Sequence, residues 1–286
     1  MQAQRLASRR RSGGRRSALA FGIVLLLAVF LAARFPYRRL LPPLLGAASA
    51  ATGADVQVAD LGLGVGLGGP ELVASGVVLR WPTAADVSLD EVRVRPAWSL
   101  SWLRGAPLWH VAARGAPGSF HGVVSPLRVE GGWTDVDTDA LPWVVLGAVA
   151  PLHGRLSGDV ALAQADGAWS GSASVAGGEG SVDLPGLPVA IPFVSLAAQL
   201  AVAPAQLTLS SARLEGPLVT ANVAGTATAA GGAFSVWPLD LDVEIEQVDP
   251  ALRSYLGPLG IPVDGQGHAR LRVTGSLSAP YLSGPR

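Results

Sequence analysis

Residues 239–246 read Leu239-Asp240-Leu241-Asp242-Val243-Glu244-Ile245-Glu246, a strict alternation of apolar and acidic side chains. Successive side chains of a strand point to opposite faces. Period two therefore sets Leu241, Val243 and Ile245 on one face and four acids on the other. One dry face beside one wet face is the pattern of an antiparallel sheet.

The same alternation recurs in both directions from this stretch. Toward the C-terminus, Asp249-Pro250-Ala251-Leu252-Arg253-Ser254-Tyr255-Leu256-Gly257 predicts a short helix, with Asp249 as N-cap, Pro250 first and Gly257 as the stop. His268 to Val273 is the last full strand. Toward the N-terminus, strands are expected over 218–227, 206–214, 195–202, 168–175 and 155–162, with another starting at 108–111. Val87 to Arg95 sets Val92 and Val94 against Arg93 and Arg95. Leu72 to Trp81 reads as a strand with a bulge at Gly76, and alternation begins at Asp55. Pro96 is expected to open a second short helix closing at Gly105, with Trp98 and Trp102 one turn apart. The expected fold class is mainly β: a strongly twisted or trough-like antiparallel sheet with two short helices.

Glycine and proline together supply 58 of the 286 residues, which suits many strands joined by many turns. Glycines within alternating strands weaken pairing unless they allow a bend, and repeated bends curl a sheet into a trough. One face is strongly apolar and few helices are available to cover it. The sheet must fold on itself, meet another protein, or hold lipid.

Charge divides the chain. Formal net charge is zero, but nine of the 21 basic residues lie at or before Arg39, leaving 12 against 21 acids beyond it. A mildly acidic body lacks the basic footprint of a nucleic-acid binder. The absence of cysteine excludes a thiolate nucleophile, disulfides and cysteine-held metals.

Between the arginine clusters lies the uncharged run Ala18 to Ala33, ALAFGIVLLLAVFLAA. Sixteen helical residues span about 24 Å, and flanking arginines can snorkel to make up part of the remaining thickness. We read residues 1–17 as a cytoplasmic basic tail and 18–33 as a transmembrane helix. Its anchoring side chains are Phe21, Ile23, Val24, Leu25, Leu26, Leu27, Val29, Phe30 and Leu31. Residues 34–53 then form a linker, and 54–286 an exported β-domain with halves at 54–130 and 150–286. A cleaved signal peptide shares this grammar. Arg34 directly after the run, and a small-x-small site only at Ala48-Ser49-Ala50 beyond Pro36, Pro42 and Pro43, favour retention.

Chemical motifs are sparse. Gly64-Val65-Gly66-Leu67-Gly68-Gly69 matches a dinucleotide fingerprint with Glu91 downstream, but a strand rather than a helix follows. Asp135, Asp137 and Asp139 have the spacing of a calcium loop's first ligands, yet Ala140 and Leu146 replace its glycine and glutamate. His110, His121, His153 and His268 form no metal-binding pair, and no G-x-S-x-G elbow occurs. The reading is a non-enzymatic protein with no cofactor or metal. Trp98, Trp102 and Trp109 are candidate partner contacts among the eight tryptophans.

Two stretches carry a family resemblance. Residues 263–284, VDGQGHARLRVTGSLSAPYLSG, resemble the closing phrase of AsmA- and TamB-like envelope proteins, and 92–105, VRVRPAWSLSWLRG, resembles their strand–helix–strand unit. With the single N-terminal anchor and Gly154-Arg155-Leu156-Ser157-Gly158 opening the second half, the chain most resembles type II secretion system protein N over roughly residues 20–286. That resemblance implies a single-pass inner-membrane protein of a Gram-negative envelope, its periplasmic β-domain docked on other secretion-system proteins, with no catalytic residues. The alternative is an AsmA/TamB-like protein binding or transferring phospholipid through an apolar β-trough. The bilayer is a partner in both readings, and nucleic acid in neither.

Overall fold

The computed structural model describes residues 41–66, 69–82, 85–97, 107–141, 152–183, 189–229, 236–257, 260–276 and 279–283. The segment 18–33, with all its anchoring side chains, lies outside them, as do Trp98 and Trp102. Among the described residues, no helix is long and apolar enough to cross a membrane.

The described chain begins with helix α1 (Leu41–Thr52). Strands follow as β1 (Asp55–Gly66), β2 (Gly69–Arg80), β3 (Val87–Pro96), β4 (Trp109–Gly115), β5 (Gly118–Ser125) and β6 (Arg128–Asp137). A 3-10 turn (Thr138–Ala140) precedes β7 (Leu152–Ala165), β8 (Ala168–Val182), β9 (Ile191–Phe193), β10 (Ser195–Ala203), β11 (Gln206–Glu215) and β12 (Val219–Thr228). The last elements are β13 (Pro238–Val248), α2 (Pro250–Leu256), β14 (Ala269–Ser276) and β15 (Ala279–Ser283). All fifteen strands belong to one antiparallel sheet, in which successive strands pair along the chain except that β9 pairs with β8 and not with β10. β9 continues the line of β10 against β8, so fourteen positions lie side by side. At 4.7–4.9 Å per strand they extend roughly 60 Å before twist. Among the described residues β1 pairs only with β2, and β15 only with β14, so both edges are open.

Local chemistry explains the meander. Asp166 and Gly167, both at positive φ, form the two-residue turn between β7 and β8, the backbone that Asp-Gly favours in hairpins. Asp249 caps α2 by accepting from the Ala251 N–H at 2.8 Å, with Pro250 in the first turn, as expected from sequence. Leu252 and Leu256 of α2 bury against Val219, Ile245, Val248 and Ala269. A register shift makes Glu246 the extra residue of a bulge opposite Thr220–Ala221, which returns Val248 to the face of Ile245. At the other end, Val56, Val77 and Val87 are buried on the three strands nearest α1.

Several expectations require correction. Residues 41–52 of the expected linker form a helix, because Pro42 and Pro43 fall in its first turn, where N–H groups lack intrahelical partners anyway. Pro96 does not open a helix; it ends β3, paired with Trp109 of β4. The two described α-helices are thus α1 and α2, and residues 98–105 of the expected helix lie outside the described residues. Register runs unbroken past Gly76 (φ 59°), and the shift falls one strand over, where Asp90 of β3 bulges against β4. β5 and β6 were not expected as strands; their glycines interrupt the apolar alternation. The halves 54–130 and 150–286 join within one sheet through the β6–β7 pairing.

Candidate functional site

Side chains of directly paired residues share a face, so the register defines the two surfaces of the sheet. Leu63 of β1 faces Leu72, which faces Val94, then Val111, Gly122, Gly131 and Val160 across β3 to β7. From Val160 the row continues through Ala173, Leu200, Leu209, Gly225 and Leu241 to Val273 on β14, and Pro280 of β15, paired with Gly275, continues the face. Every position in it is aliphatic or glycine. A parallel row holds Val92, Ala113, Phe120, Trp133, Gly158, Val175, Ala198 and Ala212. One apolar face therefore runs unbroken from edge to edge.

Its coverage is uneven. α2 closes the C-terminal end, and buried side chains cluster there and on β1 to β3. Across the middle strands, Val111, Val160, Leu200 and Leu209 are only half-buried. Leu63 and Val65 near the open edge are 37% and 85% exposed. Trp109 lies on this face, half-buried between Pro96 and Val124 on its two neighbouring strands. Of the three expected partner-contact tryptophans, it alone is among the described residues. Trp133 lies over Gly158, where a Cβ would come within 2.6 Å of its ring. Phe193 covers Gly180 in the same manner, at 2.5 Å. Aromatic rings thus fill the space that strand glycines leave.

The opposite face is polar and largely self-paired. Arg270 reaches Glu244 at 2.5 Å and Arg272 grips Asp240, so the acids of the 239–246 alternation are met by arginines of β14. Arg213 contacts Glu246 at 3.1 Å and Glu215 at 2.7 Å, holding both carboxyls below their usual range. Solvent screens such pairs, so they specify register more than they stabilise. Arg93 binds Glu91 and the buried Glu71. The Glu71 side chain lies over Gly64 and Gly66, where a Cβ would come within 3.2 Å of Glu71 Cγ and 3.0 Å of its Oε2. Gly64 and Gly66 of the dinucleotide-like motif therefore make room for this carboxylate, and β2 follows.

The aspartates with calcium-loop spacing are held apart in separate roles. Asp135 (φ 53°) occupies a bulge, its N–H donating to Ser157 Oγ. Asp137 caps the 3-10 turn, accepting from Asp139 N, and Asp139 bonds His153 Nδ1. His153 Nε2 contacts Asp183 at 3.2 Å. Asp139 chiefly, aided by Asp183, holds the His153 imidazole above the ordinary histidine pKa. This clasp joins the end of β6, β7 and the end of β8. Among the described residues, no group of three or more histidine, aspartate or glutamate side chains is placed to hold a metal ion.

Compared with known proteins, the chain matches no family model, no curated protein and no solved structure. The functional reading therefore rests on geometry and on the resemblance quoted above.

Proposed function

We propose that this chain is a non-enzymatic, single-pass inner-membrane component of a type II protein secretion system, whose periplasmic sheet docks onto partner subunits. The observation that carries the reading is the edge-to-edge apolar face, half-buried along the middle strands, on a sheet with two open edges. Apolar surface of this extent is the usual mark of an interaction site, and open edges accept added strands.

Retention of the N-terminal segment draws support from α1. The small-x-small site Ala48-Ser49-Ala50 is helical, and Ser49 Oγ accepts from Val56 N of β1 at 3.3 Å. The site lies within the helix Leu41–Thr52, so a cut there would divide the helix and detach Ser49 from β1. Tethering would confine the sheet to the membrane plane and raise its effective concentration toward partners.

A second reading is favoured by the purity of the rows: an apolar face without polar interruption suits acyl chains as well as protein. Crosslinking and pull-down from native membranes test the first reading. Recovery of a secretion-system subunit supports it, and its absence counts against it. Native mass spectrometry showing stoichiometric phospholipid would favour the second.

A further inference from the structure

On the polar face, opposite the apolar rows, a cleft of about 1170 Å³ lies over β1 to β6. Its cations are not equally engaged. Arg93 is taken by Glu71 and Glu91, and Arg128 by Glu130. Among the described residues, Arg95, His110 and His121 make no side-chain hydrogen bond or ion pair, although all three line the cleft.

Register brings these three together. Arg95 of β3 pairs directly with His110 of β4, placing their Cβ atoms about 4.5–5.5 Å apart. His110 pairs with Val123 of β5, so His121 is its diagonal neighbour at about 7–8 Å. Ala112 and Val123, on the same face, are short and leave the space between the three head groups open. Three side chains able to donate hydrogen bonds, from three adjacent strands, thus border one pocket.

We infer that Arg95, His110 and His121 form an oxyanion site selective for a phosphate group. A carboxylate offers two oxygens, and a bidentate guanidinium uses both. A phosphate ester presents a further oxygen toward the imidazoles after Arg95 has engaged two. Glu71, held by Arg93, and Glu130, diagonal to His121 and held by Arg128, limit the site to one anionic group, which disfavours a continuous polyanion. The phosphate can arrive on a lipid headgroup or on a small ester. The site lies across the sheet from the apolar face, so it stands or falls independently of the docking proposal.

The test uses the full chain in an uncharged detergent. Calorimetric titration with inorganic phosphate is compared with titration by micelles of that detergent doped with phosphatidylglycerol. Saturable binding of at least one probe is expected. Arg95→Gln, and separately the double variant His110→Gln/His121→Gln, should each weaken it about tenfold or more. Arg80→Gln, removing a cation already paired with Asp86, should leave it unchanged. Binding of inorganic phosphate supports the site with a small ester as source; binding of phosphatidylglycerol alone supports it with a lipid headgroup. Absence of binding by both probes overturns the site, as does binding undiminished in both variants with wild-type near-ultraviolet dichroism. Acetate bound as tightly as phosphate overturns the selectivity for phosphate.

Discussion

Gly122 and Gly131 face each other across β5 and β6 with no room for a side chain on either. A Cβ on Gly131 would lie 2.5 Å from the His121 carbonyl oxygen, and one on Gly122 would lie 2.5 Å from that of Glu130. The Phe120 ring lies within 3.0 Å of both added atoms. Backbone is what each Cβ would strike, so no side-chain rotation relieves the clash. Gly122→Val or Gly131→Val should therefore cost about 1–3 kcal/mol, read by denaturant unfolding. Gly178→Ala, with nothing within 4 Å of the added atom, is the matched control and should change stability little.

The core beneath α2 should respond as a close-packed interior. Leu252 is 2% exposed, and Leu252→Ala should destabilise by about 2–5 kcal/mol. Asp249→Ala removes the cap bond to Ala251 and should cost about 1 kcal/mol. Thermal unfolding monitored by circular dichroism distinguishes the larger effect from the smaller.

The His153 clasp gives a pH dependence with a definite sign. Its folded pKa is raised, so its contribution is complete below the ordinary histidine pKa and is lost as pH rises through the folded value. His153→Gln should lower stability at pH 5.5 by at most ~1 kcal/mol, with a smaller difference at pH 8.5, because the pair is partly exposed. Unfolding midpoints of both proteins across that range check it. A difference that grows with pH would contradict the clasp.

Acid should act in the opposite direction at the turn before β14. Asp264 accepts from the backbone N–H groups of His268 and Gln266, both at 2.8 Å, and the His268 bond leads in lowering its pKa. Its contribution is present above the ordinary carboxylate range and is lost as pH falls through the lowered folded value. Asp264→Asn should reduce stability near neutrality and lose that effect toward pH 2, as read by unfolding midpoints.

Much of this fold was legible in individual stretches. The 239–246 alternation and the Asp249-Pro250 helix start read correctly because local chemistry decides them. β5 and β6 did not, because Gly118, Gly122, Gly131 and Gly132 leave gaps where apolar residues would mark the pattern. Pro96 misled because proline suits a helix start and a strand end alike. The apolar row was anticipated only as an apolar face, since register and not spacing joins Leu63 to Val273. Arg95, His110 and His121 are 26 residues apart at most in sequence, and nothing but the pairing of β3, β4 and β5 sets them around one cleft.

The docking proposal is tested most directly by a photocrosslinking residue placed at Leu200, on the apolar face, and at its neighbour Ala201, on the polar face, in native membranes. Capture of a secretion-system subunit from position 200 and not from 201 is the expected result. Capture of no such subunit from position 200, or of phospholipid alone, would contradict partner docking on this face.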